Sequence, residues 1–139
     1  MFIDIIFEFI RHGDKMIGIY GYRRSTKLNT MIDFGWMIPG KSKIIRKLIK
    51  NTSASVIFPG VQIMVGVDET SDIIFNSGGL MIRLAPSGDW HQLTPTSPFD
   101  IGDVGVESEL AIDFSLTIPT NLSEDMRGPH NIQVILRYI

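Results

Sequence analysis

The chain has 139 residues, with 44% hydrophobic and 20% charged residues, a formal net charge of −2 and no cysteine. Such a chain is one ordinary soluble-type domain, long enough to bury roughly two thirds of the surface its unfolded form exposes. The absent thiols exclude a disulfide framework, an iron–sulfur cluster, a thiolate zinc site and a cysteine nucleophile. The slight acidity gives no global attraction to nucleic acid or to an anionic membrane.

Phe2 to Ile10 is strongly apolar, but it is short and is interrupted by Asp4 and Glu8. It has neither a basic leader nor a small-residue cleavage site, and a membrane-spanning helix would need about 20 apolar residues. The segment is expected as a strand, with Ile3, Ile5, Phe7 and Phe9 on one face and Phe2, Asp4, Ile6, Glu8 and Ile10 on the other. So apolar a strand must be covered, either within its own sheet or by adding to the open edge of a neighbouring subunit. Met16 to Arg23 and Thr30 to Trp36 are the next strand candidates. Lys41 to Lys50 is ambiguous. Ile44, Ile45, Leu48 and Ile49 share a helical face, yet Pro39-Gly40 before the run and Asn51-Thr52-Ser53 after it leave about ten residues, the length of a long strand. The flanks favour the strand.

Val61, Ile63, Val65 and Val67 alternate as a further strand. Asn76 to Gly79 and Ala85 to Asp89 read as turns, and Thr94 to Asp103 as a loop. Ser108 to Ile118 alternates cleanly, with Leu110, Ile112, Phe114, Leu116 and Ile118 facing inward and Glu109, Ala111, Asp113, Ser115 and Thr117 toward water. Pro119 to Pro129 is a polar connection. Ile132, Val134, Leu136 and Tyr138 then form the inward face of a last strand. Several short strands separated by Gly, Pro and Asn clusters predict an all-β, antiparallel sandwich or barrel.

Ile32-Asp33-Phe34-Gly35, Pro39-Gly40-Lys41-Ser42 and Ile49-Lys50-Asn51-Thr52-Ser53 resemble the strand, turn and strand that open many immunoglobulin-like or fibronectin-III-like modules. Leu116-Thr117-Ile118-Pro119 and the strand from Asn131 to Ile139 are similar to their close. Leu80 to Trp90 followed by His91-Gln92-Leu93 looks like the mid-domain passage of phage versions. Trp36 departs from the pattern, standing where a small or β-branched residue is usual. The resemblance covers residues 30–139 and implies an immunoglobulin-like β-sandwich preceded by an N-terminal strand extension over 1–29. Modules of this kind occur in phage tails, baseplates and head decorations and in prokaryotic surface proteins. With no leader sequence and no cysteine, the expectation is a non-enzymatic structural subunit of a virion, assembled in the host cytoplasm from copies of itself and other structural proteins. The alternative is a carbohydrate- or protein-binding module of a cell surface.

No residue type here is placed for catalysis. His12, His91 and His130 lie far apart and lack a second ligand nearby in sequence, so each reads as a solvent-facing or singly hydrogen-bonded side chain. His91 beside Trp90 is the one pair that could face a ligand. Asp100 and Asp103 are loosely like a calcium loop but better explained as turn formers. Asp68, Glu69 and Asp72 form another acidic cluster, and Glu124-Asp125 a third. Ser53, Ser55, Ser87 and Ser123 have no nucleophile-elbow context, and Ser77-Gly78-Gly79 lacks the lysine and helix of a phosphate site. Lys41, Lys43, Arg46, Lys47 and Lys50 are five of the thirteen basic residues and read as a solvated face without interleaved aromatics. Asn51-Thr52-Ser53 and Asn121-Leu122-Ser123 match a glycosylation acceptor through loop composition alone. No cofactor, metal, nucleic acid or membrane insertion is expected. The interface candidates are Phe2, Ile5, Phe7, Phe9, Trp36 and Trp90, because aromatic and large apolar side chains contribute most per residue to cores and interfaces.

Overall fold

The computed structural model describes residues 2–8, 10–12, 15–23, 28, 31–66, 79–121 and 130–138; for 2, 8, 10–12, 15 and 16 it describes the backbone only. The expectations for Phe9, for the side chains of Phe2 and His12, for Val67, for the acidic residues 68–72 and 124–125, for Ser77-Gly78 and for Leu122 and Ser123 of the second sequon lie outside the described residues. Among the described residues eleven strands are seen: β1 (Phe2–Glu8), β2 (Ile10–His12), β3 (Lys15–Gly21), β4 (Met31–Trp36), β5 (Ser42–Asn51), β6 (Phe58–Val65), β7 (Leu80–Leu84), β8 (His91–Gln92), β9 (Phe99–Val104), β10 (Glu109–Thr117) and β11 (His130–Arg137). They form a five-stranded sheet of order β4-β1-β11-β6-β9 and a six-stranded sheet of order β2-β3-β5-β10-β7-β8. The architecture is all-β and sandwich-like, with the core between the sheets.

Alternation explains which side chains enter that core. Ile3, Ile5 and Phe7 of β1 are buried and Ile6 is exposed, the parity read from the sequence. Ile112, Phe114 and Leu116 enter from β10, and Ile132, Val134 and Leu136 from β11. The rings of Phe7 and Phe114 meet across the two layers with centroids 5.8 Å apart. Lys43 also crosses the layers, its Nζ donating to the carbonyl oxygen of Phe34 at 3.0 Å.

Three expectations change in detail. The apolar run from Phe2 to Ile10 is divided between β1 in one sheet and β2 in the other, so the stretch 1–29 supplies strands to both. β1 lies between β4 and β11 of its own chain. Its pairing with β11 is parallel, whereas every other pairing is antiparallel. The expected loop at 94–103 contains strand β9, which pairs with β6 through register shifts. Its turn formers serve that irregular pairing: Asp103 Oδ1 accepts from the Gly60 amide at 2.9 Å, and Asp100 Oδ1 from the Gly102 amide at 3.0 Å.

The ambiguous run at 41–50 is strand β5, paired in continuous register to β10 and to β3. Ladder partners on both sides override its helical spacing, since strand preference depends chiefly on the neighbours available. The four apolar residues that shared a helical face are thereby split. Ile45 and Ile49 fall on the inward parity of Phe114 and Leu110, and Ile44 and Leu48 on the outward one.

At the end of β5 the chain buries Asn51. Its Nδ2 donates to the carbonyls of Val56 and Gly105 at 2.8 Å each, and its Oδ1 accepts from the Ser53 amide at 2.9 Å. Ser53 Oγ accepts from the amide of Val56 at 2.8 Å, closing the loop that leads to β6. With Asn51 fully buried, the sequon match is a structural hinge rather than an exposed acceptor. Asn51→Ala would remove the side-chain partner of one buried and two part-buried backbone groups, each at about 1–3 kcal/mol. We expect a loss of about 3–5 kcal/mol in a urea unfolding midpoint experiment.

Candidate functional site

The outer face of the six-stranded sheet carries a row that sequence reasoning missed. In the ladders, Asp113 of β10 stands opposite Arg46 of β5 on one side and opposite Arg83 of β7 on the other. Continuing the β3–β5 register by one residue brings Tyr22 opposite Arg46, and continuing β7–β8 brings Trp90 opposite Arg83. One straight line of side chains therefore runs Tyr22, Arg46, Asp113, Arg83, Trp90.

The contacts follow that line. Arg46 Nε donates to Asp113 Oδ1 at 2.8 Å and its Nη2 to Oδ2 at 3.3 Å. Arg83 Nε donates to Asp113 Oδ2 at 3.0 Å. The Arg83 guanidinium lies 4.2 Å from the Trp90 ring centroid and that of Arg46 lies 5.4 Å from the Tyr22 ring. Each cation thus has a hydrogen-bonded carboxylate and an aromatic ring nearby, both of them favourable settings.

Asp113 was expected on the wet face. Its side chain is only 1% exposed, because the two arginines, at 35% and 22% exposure, close over it. Burial pushes its carboxyl up, but the hydrogen bonds and charges of Arg46 and Arg83 outweigh that and hold it below the ordinary carboxylate range. Arg46 is raised above the usual guanidinium value, first by its hydrogen bonding to Asp113 and then to Tyr22. The sequence signal that could have found the row is an acid at the centre of a strand, with single arginines at the centres of two others.

The turn after β7 positions Trp90. Gly88 donates its amide to the Leu84 carbonyl at 2.9 Å, and a Cβ there would lie 2.7 Å from that oxygen, so only glycine fits. Trp90 and His91 point to opposite faces of the sheet and do not form a pair. His91 stands opposite the buried Ile82, and its Nε2 lies 3.0 Å from the Ser97 carbonyl and 3.1 Å from Ser97 Oγ, fixing the loop that follows.

The second feature is at the edge of the five-stranded sheet. Ile32 and Phe34 of β4 are buried, so simple alternation would bury residue 36 as well. A register shift between β1 and β4 inserts one extra residue near Gly35, whose φ is +68° and whose amide donates to Asp33 Oδ1 at 2.6 Å. The bulge inverts the parity: Met37 is buried and Trp36 is 64% exposed. Ile38 in the following turn and Ile44 in β5 are also exposed. Of the interface candidates, Ile5 and Phe7 lie in the core, Trp90 is half-buried beside Arg83, and Trp36 is the one chiefly in solvent. Beside Trp36 on the outer face, Asp4 and Asp33 are cross-strand neighbours. Partial burial, then the charge of Asp33 and a hydrogen bond to it, raise the Asp4 carboxyl above its ordinary value.

Among the described residues no group of three or more His, Asp or Glu is gathered to hold a metal ion. No family model matches the chain, and no curated protein matches it.

Two titration tests follow from opposite signs. The lowered pKa of Asp113 contributes stability that is complete above the ordinary carboxylate value and is lost as pH falls through the lowered one. Asp113→Asn should therefore cost about 2 kcal/mol at neutral pH, discounted from fully buried pairs because both arginines meet water. Its deficit in chemical denaturation should close in acid. Asp4 is the reverse case: its raised pKa gives stability in acid that disappears as pH rises through it. Asp4→Asn should stabilise at pH 7 by about 0.2–1 kcal/mol, the scale of like charges directly opposed on a sheet, and should change little in acid.

Proposed function

We propose that this chain is a non-enzymatic structural subunit of a larger assembly, built on an immunoglobulin-like sandwich and suited to a phage or virus particle put together in the host cytoplasm. Its partners are further copies of itself and other structural proteins, held by apolar contacts and strand edges. The observation that supports this most is Trp36. A bulge at Gly35 turns the indole out of the core at an edge strand, two residues before exposed Ile38. Large aromatic side chains at such positions are the usual anchors of protein interfaces. The bulge also breaks the flat strand edge that would invite uncontrolled pairing, so contact through side chains is favoured over open-ended sheet extension.

The experiment is the mass of the protein in solution by light scattering across a concentration series. Deleting the first strand would be uninformative, because β1 is hydrogen-bonded on both sides within its own sheet. Trp36→Ser is the informative variant. We expect the parent chain to form oligomers at raised concentration and the variant to remain monomeric with an unchanged melting temperature. A parent chain monomeric at all concentrations, or an oligomer indifferent to Trp36, would sink this reading.

A further inference from the structure

We propose that the row Tyr22–Arg46–Asp113–Arg83–Trp90 is a binding site for an acidic saccharide, a glycan bearing carboxylate or sulfate groups. It involves residues other than the Trp36 corner and stands or falls separately from the assembly reading.

Charge comes first. Two guanidiniums share one carboxylate, so the row carries one uncompensated positive charge, and a single oxyanion would neutralise it. Donor capacity points the same way. A guanidinium has five N–H groups, and Arg83 donates only Nε–H to Asp113. Its four Nη hydrogens have no acceptor among the described residues. Asp113 and the adjacent aromatic ring hold that fork in place, so little ordering remains to be done when an anion arrives.

Shape selects the carrier of the oxyanion. The row crosses from β3 to the start of β8, four strand spacings or about 19 Å. That is the span of a short oligomer laid flat across strands. Tyr22, 49% exposed, and half-buried Trp90 stand at its two ends; each has one ring face toward its arginine, and the remaining exposed ring surface can meet the apolar face of a sugar ring. A nucleic acid strand fits less well. It would bring several phosphates to a row with one net positive charge, on a chain whose net charge is −2. The neighbouring basic residue Lys50 stands opposite Glu109 in the ladder, a carboxylate on the same side as its ammonium.

The test is isothermal titration calorimetry on the full chain with four probes: a hyaluronan tetrasaccharide, a heparin tetrasaccharide, neutral cellotetraose and an oligo-dT. We expect saturable binding of at least one acidic saccharide, weakening as salt is raised, with no binding of cellotetraose. Arg83→Gln should weaken that binding about tenfold or more, as expected for loss of a charge-assisted contact. Because Arg83→Gln also removes a partner of Asp113, Tyr22→Ser serves as a second variant that leaves both ion pairs in place; it should weaken binding while a cooperative melting transition shows the chain still folded. Failure of both acidic saccharides to bind, oligo-dT binding as tightly as they do, or binding unmoved by either variant would overturn the proposal.

Discussion

β1 is hydrogen-bonded to β4 on one side and to β11 on the other, and this double pairing sets the terms for the rest of the molecule. It joins the beginning of the chain to its final strand in parallel, so the five-stranded sheet cannot be completed without both ends of the described chain. It also uses the backbone groups of the most apolar strand inside the subunit. With Ile3, Ile5 and Phe7 buried beneath it and β4 and β11 on either side, that strand has no free edge for a neighbour. Contact with another molecule must then go through the outer strands and outward side chains, which is why a bulge in β4 and a row on the opposite sheet matter.

Both of those features arise where strand alternation meets a local exception. On β4, one inserted residue at Gly35 reverses parity, so a tryptophan that would have filled the core points to solvent. On β10, parity holds but its usual consequence does not. Asp113 points outward yet is covered, because the two flanking strands each place an arginine opposite it. Outward and exposed are different properties, and only the neighbours across the sheet distinguish them.

This distinction marks how far the amino-acid sequence could be read. The strand class, the inward residues of β1, β10 and β11, and the strand character of β5 were legible because period-two hydrophobicity is a local signal. The parallel β1–β11 pairing was not, since it joins segments more than a hundred residues apart and no spacing encodes it. The strand in 99–104 was hidden by its turn formers, whose aspartates satisfy amides of an irregular ladder rather than a loop. At the sites, Trp36 and Trp90 were noticed as large aromatics. Arg46 was absorbed into a basic run, Asp113 was read only as a water-facing residue and Arg83 was not singled out, because a carboxylate and two guanidiniums become one object only when register aligns them.

The composition of that object bears on its purpose. A buried carboxylate loses hydration that two partly exposed arginines only partly return, and well-packed apolar residues in such a position are often at least as stable. Stability alone therefore does not account for the charged row. The ion pairs bring register, because sliding β5 or β7 by one residue would turn each arginine to the opposite face and leave Asp113 uncompensated. They also leave the outer face hydrophilic while fixing unused Nη donors between two aromatic rings. An apolar row could reproduce the packing, but it could not present oriented donors to an anion, and that difference makes this sheet face a stronger candidate for recognition than its packing alone would suggest.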